Sequence, residues 1–97
     1  MATVRHAEKT IFDVEGFKVR LLYSEPGRKR GRDVRGDRED VPAYRYERAA
    51  RDDFTVAAWI QKRFSRSYPG FDVEVLDRSG HPVHGRTKLA TVRQTYN

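Results

Sequence analysis

The 97-residue chain contains no cysteine. Disulfides, thiolate metal sites and cysteine nucleophiles are therefore excluded, and a reducing, cytoplasmic setting is expected. No apolar run approaches the ~20 residues a membrane-spanning helix needs. The first ten residues lack the apolar stretch of a secretory leader, so no membrane partner is expected. Apolar residues are also scarce, at 37% against 35% charged. A chain of this size buries only roughly 60–65% of its unfolded surface, enough for one modest core in one domain. No phosphate-cradling glycine loop and no nucleophile–base motif is present, so neither an enzyme nor a cofactor is expected.

What the chain does have is positive charge. Twenty Lys and Arg face fourteen Asp and Glu, for a net charge of +6. Fifteen of the cations are Arg, whose planar fork bonds phosphate bidentately. Enrichment in Arg has two sources, polyanion recognition and a GC-rich genome. Aromatics at 11% argue for a folded domain.

Apolar residues alternate at Phe12 and Val14, then at Phe17, Val19 and Leu21. That period of two on either side of Glu15 and Gly16 predicts a β-hairpin with glycine in its turn. Residues 25–42 lose all periodicity and are predicted to form a mobile charged loop that supplies no core. Within it, Arg28, Lys29, Arg30 and Arg32 form a basic cluster, followed by Asp37, Arg38, Glu39 and Asp40. Tyr44 and Tyr46 alternate with Arg45 and Glu47, predicting a strand over 43–49. Asp52 or Asp53 is the expected N-cap of a helix over 53–67. Its apolar stripe is Val56, Ala57, Ile60 and Phe64, with Trp59 on the border. Lys62, Arg63 and Arg66 near its end complement the helix dipole, and Pro69 and Gly70 stop it. Phe71, Val73 and Val75 predict a strand over 71–76. The last stretch, with Leu89, Val92 and Tyr96 at helical spacing but also Val83 and several Thr, fits a short helix or an edge strand. The expected fold is α+β: an antiparallel sheet from 10–23, 43–49 and 71–76, with the 53–67 helix across one face.

Three segments are candidate polyanion sites. The basic loop could track phosphates through Arg28, Lys29, Arg30 and Arg32; the alternative is a solvated loop. Tyr44 and Tyr46, flanked by Arg45 and Arg48, could stack bases while the cations hold the backbone. The same alternation serves a strand whose aromatic face packs under a helix, and the shortage of aliphatics favours that use. After Asp77 there is no acid, while Arg78, Arg86, Lys88 and Arg93 add four cations. If the tail is a helix, Lys88, Arg93 and Gln94 could lie on its polar side as a basic edge; the alternative is a solubilising surface.

Other patterns carry less. His81 and His84 are too few for a metal site without Cys, so no metal is expected. Asp72 and Glu74 read as the solvent side of a strand rather than an acid–base pair. Arg35, Gly36 and Asp37 match an adhesion tripeptide at chance frequency. The sequence thus predicts a small, basic, non-enzymatic binding module whose partner is nucleic acid, DNA or RNA, contacted through phosphate. The alternative is an adaptor or inhibitor of the kind encoded by phages and other mobile elements, docking on an acidic surface of a larger, nucleic-acid-handling complex. It would use a hairpin edge or Trp59, Tyr23 or Tyr68 as anchors.

Overall fold

Val4, Ala7, Ile11 and Glu15 recur every three to four residues, and all four are buried on one face of helix α1, Val4–Glu15. The Thr3 hydroxyl caps its start, accepting the His6 N–H at 3.1 Å. Gly16 closes it in the left-handed conformation (φ 84°), its N–H donating to the Phe12 carbonyl. The expected first hairpin strand is therefore helical, and Gly16 is a helix cap. Phe12 and Val14 lie half-buried on the helix flanks. Their short alternation fits either period, whereas the longer run from Val4 fits only 3.6.

The structure is a computed structural model that describes residues 2–27 and 30–97. It is a small compact α+β domain with one two-stranded antiparallel sheet. Strand β1, Lys18–Tyr23, pairs with β2, Phe71–Leu76, placing Val19 opposite Val75 and Leu21 opposite Val73. These are the two strands whose alternation survives; α1 packs against β1. The expected strand over 43–49 is irregular coil with a bend at Glu47 and Arg48, and it pairs with no strand among the described residues. Both outer edges of the sheet are occupied. The Glu8 carboxylate accepts the Leu21 N–H at 2.9 Å, Arg32 and Val34 bond the backbones of Tyr23 and Leu21, and Val83 donates to the Val75 carbonyl. At one end the Tyr96 hydroxyl accepts the Lys18 N–H at 2.9 Å and donates to the Leu76 carbonyl. Such coverings blunt an edge against further strands.

The charged segment after β1 does supply core, contrary to its composition. Val34 and Val41 are buried, and the carbonyls of Gly36 and Arg38 accept the N–H groups of Arg5 and Val4. These two bonds satisfy donors that the first turn of α1 leaves unpaired. Gly31 packs so closely on β1 that a Cβ there would lie 1.7 Å from the Tyr23 carbonyl oxygen.

The expected 53–67 helix begins at Val56, capped by the Thr55 side chain on the Ala58 N–H at 3.1 Å. Asp52 and Asp53 lie in the turn before it. Three consecutive pieces form one helical segment: Val56–Trp59, a π-helical Ile60–Phe64 in which the Ser65 N–H reaches back to Ile60, and Ser65–Ser67. Five residues separate Trp59 from Phe64, so in a pure α-helix they would point apart. The wider π turn brings both fully into the core and leaves Ala57 exposed. Trp59 is thus central, edge-on to Phe17 at 5.1 Å and 5.9 Å from Phe64. The ambiguous tail resolves as a short C-terminal helix, Leu89–Gln94, with Leu89 and Val92 buried.

Replacing Gly31 by Ala should lower stability by about 1–3 kcal/mol, the usual cost of overpacking, seen as a reduced urea midpoint. Gly36→Ala, whose methyl would come nearest to the flexible Arg5 side chain, at 3.4 Å, should leave the midpoint nearly unchanged. Equal midpoints for the two variants would contradict the close contact at Gly31.

Candidate functional site

The last residue of α1 places a carboxylate inside the protein. Glu15 is 1% exposed. One of its oxygens accepts the Ala50 N–H at 2.8 Å and Arg93 Nη2 at 3.2 Å. The other accepts the Tyr44 hydroxyl at 2.6 Å and Arg63 Nη1 at 2.9 Å. Four donors fill the acceptor positions of an ionised carboxylate, so Glu15 has no capacity left for a substrate. Arg93 also donates to the Glu15 and Ala50 carbonyls, at 2.7 and 2.9 Å, and to the Asp52 carboxylate at 2.6 Å. Arg63 donates to the Arg48 carbonyl. Both guanidinium side chains are only 19% exposed.

This network reassigns three expected site residues. Tyr44 is buried, accepts the Trp59 indole N–H at 3.1 Å and stacks near-parallel on Tyr68. Burial, reinforced by its bond to the Glu15 carboxylate, pushes the Tyr44 phenol far above its ordinary value, which keeps it a neutral donor. Tyr46 has Arg63 over its ring at 4.5 Å and donates its hydroxyl to the Lys62 carbonyl at 3.1 Å. Neither tyrosine presents a stacking face. Arg93 is an internal clamp rather than a surface cation.

The basic loop is largely neutralised where it is described; Arg28 and Lys29 lie outside the described residues. Arg30 pairs with Asp33 at 2.6 Å and with Glu74 at 2.9 Å. Arg32 pairs with Glu25 at 2.8 Å and sits over the Tyr23 ring.

A different group of cations stays exposed without a carboxylate partner among the described residues. The coil carrying Arg45 and Arg48 docks along the π-containing helix. The Arg45 N–H donates to Ser67 Oγ at 3.2 Å and its guanidinium to the Arg66 carbonyl at 3.4 Å. The Tyr46 hydroxyl and the Arg63 guanidinium tie the same coil to Lys62 and at Arg48. Arg45, Arg48, Lys62 and Arg66 are all exposed and gather on this seam. The helix contributes no acid, because none occurs between Asp53 and Asp72; the coil contributes one, Glu47. Lys62 and Arg66 were legible in the sequence only as dipole-complementing charges. The stronger signal was the acid-free stretch itself.

Arg78, Arg86 and Lys88 are exposed as well. The backbone around Arg86 and Lys88 runs beside the start of the same helix, where Gly85 and Thr87 carbonyls accept the Ala57 and Val56 N–H groups. His81 and His84 are exposed, and among the described residues no cluster of His, Cys, Asp or Glu could hold a metal ion. Asp72 caps the Val73 N–H, and Glu74 pairs with Arg20 and Arg30. Of the expected docking anchors, Trp59 and Tyr68 are buried, and Tyr23 lies between Arg32, Arg38 and Phe71. Among the described residues no helix is long and apolar enough to cross a membrane. Comparison with protein families, with characterised proteins and with solved structures gave no match.

Glu15→Ala should cost about 3–5 kcal/mol, because it leaves the largely buried Arg63 guanidinium without a carboxylate and takes one of its two from Arg93. Asp13→Ala, which breaks an exposed pair with Lys9, should cost under about 1 kcal/mol; urea unfolding of both compares them. The Tyr68 hydroxyl is buried with no hydrogen-bond partner, and burial pushes its phenol up to about 12. The unfolded chain ionises this group near pH 10, so its contribution to stability falls as pH rises from about 10 toward 12. Tyr68→Phe should therefore flatten the alkaline loss of stability and raise stability near pH 7 by about 1 kcal/mol, measured as urea midpoints across pH.

Proposed function

We propose that the chain is a non-enzymatic module that binds nucleic acid by its phosphates, through Arg45, Arg48, Lys62 and Arg66. The observation that carries this reading is that these four cations are exposed, have no carboxylate partner among the described residues, and are borne on a helix and on a coil bonded to that helix. Cations already paired to carboxylates gain less from a phosphate, because the existing partner must first be given up. That consideration moves the expected contact away from Arg30 and Arg32 and toward the seam. Arg86 and Lys88, beside the start of the same helix, extend the footprint. The saturated Glu15 carboxylate and the engaged Asp72 and Glu74 support a binding role rather than acid–base chemistry. Contacts of this kind position a protein on a backbone without reading sequence.

An acidic protein surface would meet the same four cations. With the sheet edges occupied and Trp59 and Tyr68 buried, the adaptor or inhibitor reading rests on that seam too.

Four phosphate contacts on duplex DNA correspond to a slope of about −3.6 in log affinity against log salt. Binding should accordingly weaken about 100-fold between ~50 and ~200 mM salt. Replacing Arg45, Arg48, Lys62 and Arg66 together by Ala should weaken binding to all sequences alike and flatten that slope, whereas Arg30→Ala with Arg32→Ala should change it little. Fluorescence polarisation checks both variants; full affinity in the fourfold variant would remove the seam from the mechanism.

A further inference from the structure

Resting on the nucleic-acid reading above, we infer that the ligand of the Arg45–Arg66 seam is a duplex held by its backbone, not a single strand. Proteins that hold single strands combine a basic groove with aromatic faces on which bases stack, and each stacked base contributes about 5- to 150-fold in affinity. Every Phe, Tyr and Trp of this chain lies among the described residues and none is exposed; the exposed rings are the imidazoles of His6, His81 and His84.

Those nearest the seam are already engaged. Tyr46 lies between the Arg63 guanidinium at 4.5 Å and the Tyr44 ring at 5.6 Å, and its hydroxyl is bonded to Lys62. Phe54 has the Lys62 ammonium over its ring at 5.2 Å. Tyr44, Trp59, Phe64 and Tyr68 are core. To offer a ring to a base, Tyr46 would have to leave the hydrogen bond and the cation contact that hold the coil to the helix.

Two surface clefts, of about 570 and 640 Å³, do not belong to the seam: one is lined by Phe12, Val19 and Leu76, the other by Thr3, His6 and Tyr44. None of the four cations borders either cleft. What the seam offers is a set of exposed charges on two backbone segments bonded to each other. Lys62 and Arg66 are four residues apart at the end of the helical segment, and Arg45 is bonded to the Arg66 carbonyl. Cations clustered on two bonded segments suit the dense phosphates of a duplex, which carries one charge per ~1.7 Å of axis, twice the linear density of either strand. The chemistry is shared by DNA and RNA duplexes.

The test is fluorescence polarisation of the full chain against labelled double- and single-stranded DNA and RNA of equal length, at ~50 and ~200 mM salt. Duplex of either sugar should bind at least tenfold more tightly than its own single strand, and the DNA and RNA arms identify which duplex is preferred. A single strand bound as tightly as the duplex, or more tightly, overturns this inference while leaving the nucleic-acid reading intact. Absence of binding to all four probes at the lower salt overturns that reading itself. A duplex preference that persists when Arg45, Arg48, Lys62 and Arg66 are all Ala overturns the seam as its origin.

Discussion

One buried carboxylate holds the molecule together. Glu15 ends α1, yet its two oxygens bond the coil at Tyr44 and Ala50, the π-containing helix at Arg63 and the C-terminal helix at Arg93. Segments far apart in sequence thus meet at a single charge. A buried ion pair is not in itself a strong source of stability, because desolvation offsets much of the attraction. What it contributes here is arrangement: with every acceptor position filled by a particular donor, alternative packings would leave a charge or a hydroxyl unpaired. In a chain with few aliphatic residues, this network and the aromatic cluster of Phe17, Trp59, Phe64 and Tyr68 do much of what a larger aliphatic core would do.

The same network shapes the exposed surface. Arg63 reaches inward to Glu15 and, on the way, holds the Arg48 carbonyl and covers the Tyr46 ring. The π turn makes this possible, since it lets Trp59 and Phe64 both face the core while Arg63 points to Glu15. The neighbouring Lys62 and Arg66 remain outside. Arg63 and Arg93 thus serve the fold, whereas Lys62 and Arg66 stay on the surface. Net charge alone could not separate these two populations, because Arg93 and Arg48 count equally in it.

Much of the fold was legible in the residue pattern, for identifiable reasons. β1, β2 and the helix ending before Pro69 each carry a full period of apolar residues bounded by turn residues. The misreadings share a cause, which is that local pattern says nothing about distant partners. Phe12 and Val14 alternate over too few residues to distinguish strand from helix. Val34 and Val41 stand alone among charges, and only their packing reveals them as core. Tyr44 and Tyr46 alternate like a strand, but no neighbouring strand pairs with them. Glu15 looked like a turn residue because nothing local marks a carboxylate that will be met by Arg63 and Arg93. At the candidate site, Arg45 and Arg48 were visible beside the tyrosines; Lys62 and Arg66 join them only through the docking of the coil on the helix.

The most direct test of this account is a map of amide chemical-shift changes as the labelled protein is titrated with a short DNA duplex at low salt. Shifts are expected to concentrate over residues 45–48 and 62–67, with smaller changes around Arg86 and Lys88, and little change around Arg30, Arg32 and the α1–β1 cleft. Shifts concentrated at the charged segment after β1, or in that cleft, would contradict the assignment of the binding surface.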